Sequence, residues 1–194
     1  RISRGRYTCG IDELIINTDT ERQELAEYLR NWKQHRPKAV KVMLIPKRNG
    51  KTRRLGIPTV KDRAMATLFR LVMEPFFEAC FEPHSYGFRP GRGALDCVHA
   101  ISRGIDNILR KRPNRKHSRA TTPKEIYVFD ADISGCFDNI KHDYLMERLD
   151  GIPFKKEIRR ILQSGAIGKL GFEKQDKGTP QGNPLSPLLA NIAL

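Results

Sequence analysis

Residues 128–142, VFDADISGCFDNIKH, set Asp130, Asp132 and Asp138 into a chain that is otherwise strongly basic. Alternate side chains of a strand share a face. A strand over 126–133 therefore puts Asp130 and Asp132 on one side. Phe129, Ala131 and Ile133 take the other, where helices can cover them. Two adjacent carboxylates repel unless a cation relieves them. A hard divalent ion held by carboxylate oxygens does so, and the Ile133 carbonyl is a further oxygen ligand for it. The bland readings are a solvated strand edge and, for Asp138 with Asn139, a cap for the following helix.

Outward from this stretch, charge dominates. Lys and Arg number 36 against 22 Asp and Glu, a net +14, which points to a polyanionic partner. VKVMLIPKRNGKTRRLGIP, residues 40–58, reads as a hairpin turning at Asn49-Gly50. Lys38, Lys41, Lys47, Arg48, Lys51, Arg53 and Arg54 cluster there with no acid between them. Lysines also protect sheet edges, but this density favours phosphate contact. In a second basic run, Arg103, Arg110, Lys111, Arg112, Arg115, Lys116 and Arg119 face only Asp106. Metal carboxylates together with phosphate-binding cations are the tools of phosphoryl and nucleotidyl transfer.

The rest of the chain supplies a framework. Apolar spacing predicts a helix over 20–34, opened by a capping box from Thr20 to Gln23. Thr59 caps a helix running to residue 74, which Pro75 should end or kink. Another helix covers 94–111, with Leu95, Val98, Ile101, Ile105 and Ile108 on one face. Helices follow over 141–149 and 154–163, then strand-and-turn character over 166–178. The alternation indicates an α+β domain. Cys9, Cys80, Cys97 and Cys136 lie far apart, against zinc or disulfide scaffolds and in favour of reduced thiols in a cytosol-like compartment. No apolar run is long enough to span a bilayer, and no signal peptide is present. The start at Arg1 and the apolar end NPLSPLLANIAL read as cuts, making the chain an internal piece of a longer protein.

Asp132, followed by Phe137 and Asp138, resembles the first catalytic motif of reverse transcriptases. KGTPQGNPLSPLLANI, residues 177–192, is similar to their Pro-Gln-Gly motif and the helix after it. RRLGIPTVKDRAMATLF, 53–69, and SYGFRPGR, 85–92, resemble blocks of group II intron reverse transcriptase/maturases. Four blocks in order, covering most of the chain from about residue 40, are far more specific than any one. The resemblance implies a right-hand polymerase, with fingers over 1–85 and 143–180 and a truncated palm over 86–142 and 181–194. It implies RNA-directed DNA synthesis from dNTPs on an RNA template and DNA primer, with Mg²⁺ (or Mn²⁺). Intron RNA is the further implied partner, bound to aid splicing and mobility.

Residue roles follow from the same resemblance. Asp132 is the implied catalytic metal ligand, with the Ile133 carbonyl beside it and Asp130 only tuning the field. Phe137 sits under the sugar, where a bulky ring excludes a ribose 2′-OH; as a bare residue it reads more commonly as core. Lys47 and Arg53 grip the triphosphate. Gln181 and Gly182 border the nucleotide pocket, glycine letting the backbone come close to the substrate. Lys41, Arg48, Lys51 and Arg54 on the hairpin, with Arg112, Arg115 and Lys116, are RNA contacts. Arg89 and Arg92 meet template phosphates or cap a loop, and Arg63 pairs with a carboxylate of the fold. The second acidic pair of the family does not occur before Leu194, so this piece alone is expected not to extend a primer. The alternative is an RNA-binding splicing cofactor with a decayed polymerase site. A metal-dependent nuclease or DNA-binding module ranks last, because it leaves the Pro-Gln-Gly block unexplained. A bacterial cytoplasmic ribonucleoprotein is the expected setting; an organelle and a homodimer are compatible, a membrane is not.

Overall fold

The computed structural model describes residues 4–46, 50, 52–110 and 126–194. Its elements are α1 (Asp19–Arg30), β1 (Val40–Pro46), β2 (Thr52–Ile57), α2 (Val60–Glu78), α3 (Ala94–Arg110), α4 (Cys136–Asn139), α5 (His142–Arg148), α6 (Lys155–Leu162), β3 (Ala166–Gly168), β4 (Gly171–Glu173) and α7 (Ser186–Ala193). They form two compact units, Arg1–Cys80 with Gly135–Leu194, and Phe81–Ser134. The mixture is the expected α+β class.

In the first unit the sheet order is β2-β1-β3-β4. The basic hairpin forms as expected, antiparallel from Lys41 opposite Ile57 to Pro46 opposite Thr52. β3 runs parallel to β1, and β4 returns antiparallel to β3. Directly opposed residues share a face, so Arg53 and Arg54 leave the sheet on opposite sides.

The helix starts are set by side chains that satisfy otherwise orphaned N–H groups. For α1 the capping box is Thr18 with Glu21, two residues earlier than expected. The Glu21 carboxylate accepts from the N–H groups of Asn17 and Thr18, both at 2.8 Å. An ionised carboxylate is a stronger acceptor than the Gln23 amide and suits the helix N-terminus. The helix also ends sooner, at Arg30, with a short 3-10 turn over Trp32–Gln34.

Thr59 caps α2 as expected, accepting from the Asp62 N–H. Its hydroxyl in turn donates to Asp62 Oδ2 at 2.6 Å. Asp62 is buried and meets His35 Nε2 at 3.0 Å through Oδ1. The approach is close but lacks hydrogen-bond alignment. His35 Nδ1 lies 2.7 Å from the Tyr28 hydroxyl. Burial, then the Asp62 charge, raises the Tyr28 pKa above its usual value. This buried network ties α1 and the chain entering β1 to the head of α2.

Pro75 does not end α2, which continues to Glu78. Only the last turn lies beyond it. The carbonyl it deprives of a partner belongs to Leu71, a residue 57% exposed, so water can take the missing donor's place.

The core lies among α2, α5, α6 and α7. Met65, Phe69 and Met73 repeat every four residues along α2 and are fully buried, as are Leu145, Leu149, Ile158, Leu162, Leu185 and Leu189. Phe69 stacks on Phe154 with ring centroids 4.7 Å apart, and Trp32 meets both edge-on. Each such buried side chain contributes about 1.5–3 kcal/mol relative to exposure.

The second unit holds α3 and the first aspartate stretch. The expected strand over 126–133 does not form. Those residues pair with no described strand, and Phe129 is 93% exposed. Period-two alternation sets faces only once a neighbour takes up the backbone N–H and C=O groups. The apolar face of α3 is likewise open, with Leu95, Val98, Ile101 and Ile108 exposed.

Candidate functional site

The Pro-Gln-Gly loop is built by local hydrogen bonding. The Asn183 N–H closes a turn on the Pro180 carbonyl at 3.1 Å. Asn183 Oδ1 accepts from the Leu185 N–H, and the Ser186 hydroxyl donates to the same Pro180 carbonyl, both at 2.9 Å. Asn183 and Ser186 are buried, so these polar groups hold Gln181 and Gly182 at the head of α7 rather than facing solvent. Ser186 and Asn183 did not stand out in the sequence, although polar residues inside NPLSPLL are themselves the signal.

Strand β2 completes the loop. The Gly56 N–H donates to the Gln181 carbonyl at 2.7 Å. Arg53 Nε donates to Gln181 Oε1 at 2.9 Å. Gly182 has φ +112°, and a Cβ there would sit 2.2 Å from the Gly56 carbonyl oxygen. Glycine is required by close approach to the neighbouring strand, not only by approach to a substrate. Arg53, Gln181 and Gly182 are thus brought together by residues far apart in sequence.

Phe137 belongs to the same unit, on the short helix α4, and is half-buried. Its carbonyl accepts from the Thr179 N–H at 2.7 Å, and the Gly178 N–H donates to Ile140 at 2.7 Å. His142, 4% exposed, reaches the Gly178 carbonyl through Nε2 at 2.8 Å. Asp138 is not the cap of α5: the N-cap position is Lys141, with no side-chain hydrogen bond.

Asp132 lies in the other unit, exposed with Asp130 and Ile133 and outside any helix or strand. Carboxylate and carbonyl oxygens are the donors Mg²⁺ and Mn²⁺ take. Among the described residues, however, no group of three or more His, Cys, Asp and Glu side chains is placed to hold a metal ion. The described donor set is therefore incomplete for either ion.

The basic residues divide. Lys47, Arg48, Lys51, Arg112, Arg115 and Lys116 lie outside the described residues. Lys41 is half-buried on β1, on the Arg53 face. Arg54, on the opposite face, pairs with Glu173 of β4, so the hairpin's apparent lack of acids is met from another strand. Both border a cavity of about 350 Å³ that extends to Pro180 and Gln181. Arg89 is 5% exposed, lies over Phe81, and donates to the Glu82 and Ser85 carbonyls. That burial favours the loop-capping alternative. Arg92 also binds loop carbonyls, those of Pro83 and Ser85. Among the described residues Arg63 forms no ion pair with a carboxylate: it donates to the Thr8 carbonyl at 2.7 Å and to that of Gly5 at 3.4 Å. Desolvation lowers its pKa, opposed by the nearby Asp12 charge. No helix among the described residues is long and apolar enough to cross a membrane.

Comparison with known proteins agrees with the family resemblance. The family model for reverse transcriptase (RNA-dependent DNA polymerase) matches residues 45–194. Protein YkfC of Escherichia coli K12 is 30% identical over 99% of this chain and 49% of its own length. The group II intron-encoded protein LtrA of Lactococcus lactis is 34% identical over 81% of this chain and 24% of its own. Maturase-like protein 1 of Euglena gracilis is 27% identical over 100% of this chain and 39% of its own. The chain spans half or less of the length of these relatives. It belongs to the reverse transcriptase family, in the company of group II intron-encoded proteins and maturases.

Proposed function

We propose that the whole protein is an RNA-directed DNA polymerase of a group II intron that also binds intron RNA to aid splicing and mobility. The observation that carries this reading is the Arg53–Gln181 hydrogen bond. It unites a cationic finger strand with the Pro-Gln-Gly loop, so a guanidinium stands beside a hydrogen-bonding amide at the proposed nucleotide pocket. Arg53 binds triphosphate oxygens; Gln181 and Gly182 border the sugar; the half-buried Phe137 ring screens the 2′ position. Asp132 and the Ile133 carbonyl are the proposed ligands of a divalent cation, Mg²⁺ or Mn²⁺, whose remaining ligands the described residues do not supply. Lys41, Lys47, Arg48, Lys51, Arg112, Arg115 and Lys116 are proposed to meet RNA or triphosphate. Fingers over 1–85 and 143–180, with palm over 86–142 and 181–194, is the division proposed for the polymerase.

Primer extension by the full-length protein tests this reading, with poly(rA), oligo(dT), dTTP and Mg²⁺. Template-dependent extension is expected. Absence of extension with intact, salt-sensitive RNA binding overturns the polymerase reading and assigns the protein as a splicing cofactor.

A further inference from the structure

The geometry points to His142 as a positioning residue for nucleotide selection: its side chain clasps the Pro-Gln-Gly loop to the turn that carries Phe137. This rests on the polymerase reading for its consequence, though not for its geometry. Three hydrogen bonds to Gly178 and Thr179 form the clasp, beside an exposed one from Lys177 Nζ to Asn139 Oδ1 at 2.9 Å. Two are between backbones, Thr179 N–H to the Phe137 carbonyl and Gly178 N–H to the Ile140 carbonyl. The third is the imidazole, whose Nε2–H donates to the Gly178 carbonyl at 2.8 Å. A carbonyl acceptor fixes the proton on Nε2.

The contact leaves little freedom. Gly178 has φ +82°, and a Cβ on it would lie 2.8 Å from the Asp138 carbonyl oxygen, so the two backbones touch. His142 is buried at the start of α5, whose Leu145 and Met146 are in the core. The imidazole is therefore held on the rigid side and reaches across to the loop. Gln181 follows Thr179 by two residues, and Phe137 precedes His142 by five. Their spacing sets how closely a sugar fits between amide and ring. Nothing else in the described residues offers a side-chain bond to the Gly178 carbonyl, so losing the imidazole leaves that carbonyl buried without its donor.

The test compares full-length wild type with His142→Phe and His142→Gln. Phe keeps the ring volume and loses the donor; the Gln amide nitrogen can occupy the place of Nε2. Amide hydrogen exchange at Gly178 and Thr179 reads the clasp without any activity. Protection is expected to fall about tenfold in His142→Phe, the weight of one hydrogen bond, and to return in His142→Gln. In the active enzyme, His142→Phe should raise KM for dNTP and weaken selection against rNTP, each about tenfold, with RNA binding unchanged. Unchanged exchange in His142→Phe overturns the clasp. Altered exchange with wild-type KM and selectivity overturns its role in selection. A wild-type protein that adds no nucleotide defeats the polymerase reading instead, and the exchange result still decides the clasp.

Discussion

Two of the stretches that carry the family's motifs are built in opposite ways. Residues 177–186 are bound on every side: Gly56, Arg53, Phe137, Ile140 and His142 each contribute a hydrogen bond to them. Residues 126–134 have an equally specific sequence but no described strand beside them, and their apolar side chains are exposed. The first stretch has a shape because its polar backbone is satisfied by neighbours within its own unit. The second has only an alternating pattern, which is a statement about faces and not about partners. Motif identity and structural support are thus separate properties, and substitutions should separate them.

The largest expected effect is functional alone. Asp132→Asn should lower nucleotide addition on the order of 10²–10³-fold, as loss of a group that stabilises transition-state charge does. Its thermal unfolding should not move, because the carboxylate is exposed. A clear fall in Tm would break the comparison by showing that this stretch is structurally supported. Gly182→Ala should act on both counts. The added methyl meets the Gly56 carbonyl, so urea unfolding should show a loss of about 1–3 kcal/mol, with activity falling about 10²-fold from loop misplacement. Activity loss without destabilisation would show that the loop yields more readily than its contacts imply.

The smallest effect concerns a staple in the same unit but at the open surface. The N–H groups of Thr18 and Asn17, then the Thr18 hydroxyl, lower the Glu21 pKa below its usual value. A depressed folded pKa gives stability that is fully present above the unfolded value. It is lost as pH falls through the folded one. Glu21→Gln should flatten that part of the acid limb in a Tm-versus-pH series and leave neutral pH little changed. An unchanged acid limb would show that the box does not couple to folding.

Much of the framework was legible before any coordinates. Thr59 as a cap, the basic hairpin, the helix over 94–110 and the Pro-Gln-Gly block all rest on local chemistry, where residues a few positions apart decide the outcome. The misses have local or non-local causes of a definite kind. The α1 box moved to Thr18 because two boxes overlap in the sequence and the carboxylate one is stronger. Pro75 was passed because the carbonyl it deprives faces water. Arg54 found Glu173, a pairing that depends on a sheet order no spacing encodes, whereas Arg89 donates to loop carbonyls, one of the two readings its sequence context offered.

By itself, then, the sequence determined which residues carry charge, where the helices begin, and which family's motifs occur in what order. These are properties of short windows and of composition. Only the tertiary structure decided that Gly182 must be glycine because Gly56 lies against it, that Arg54 meets Glu173 of β4, and that His142 serves a loop 36 residues away. Those outcomes depend on which distant backbones satisfy one another, and a hydrogen bond across a fold leaves no period in the chain that makes it.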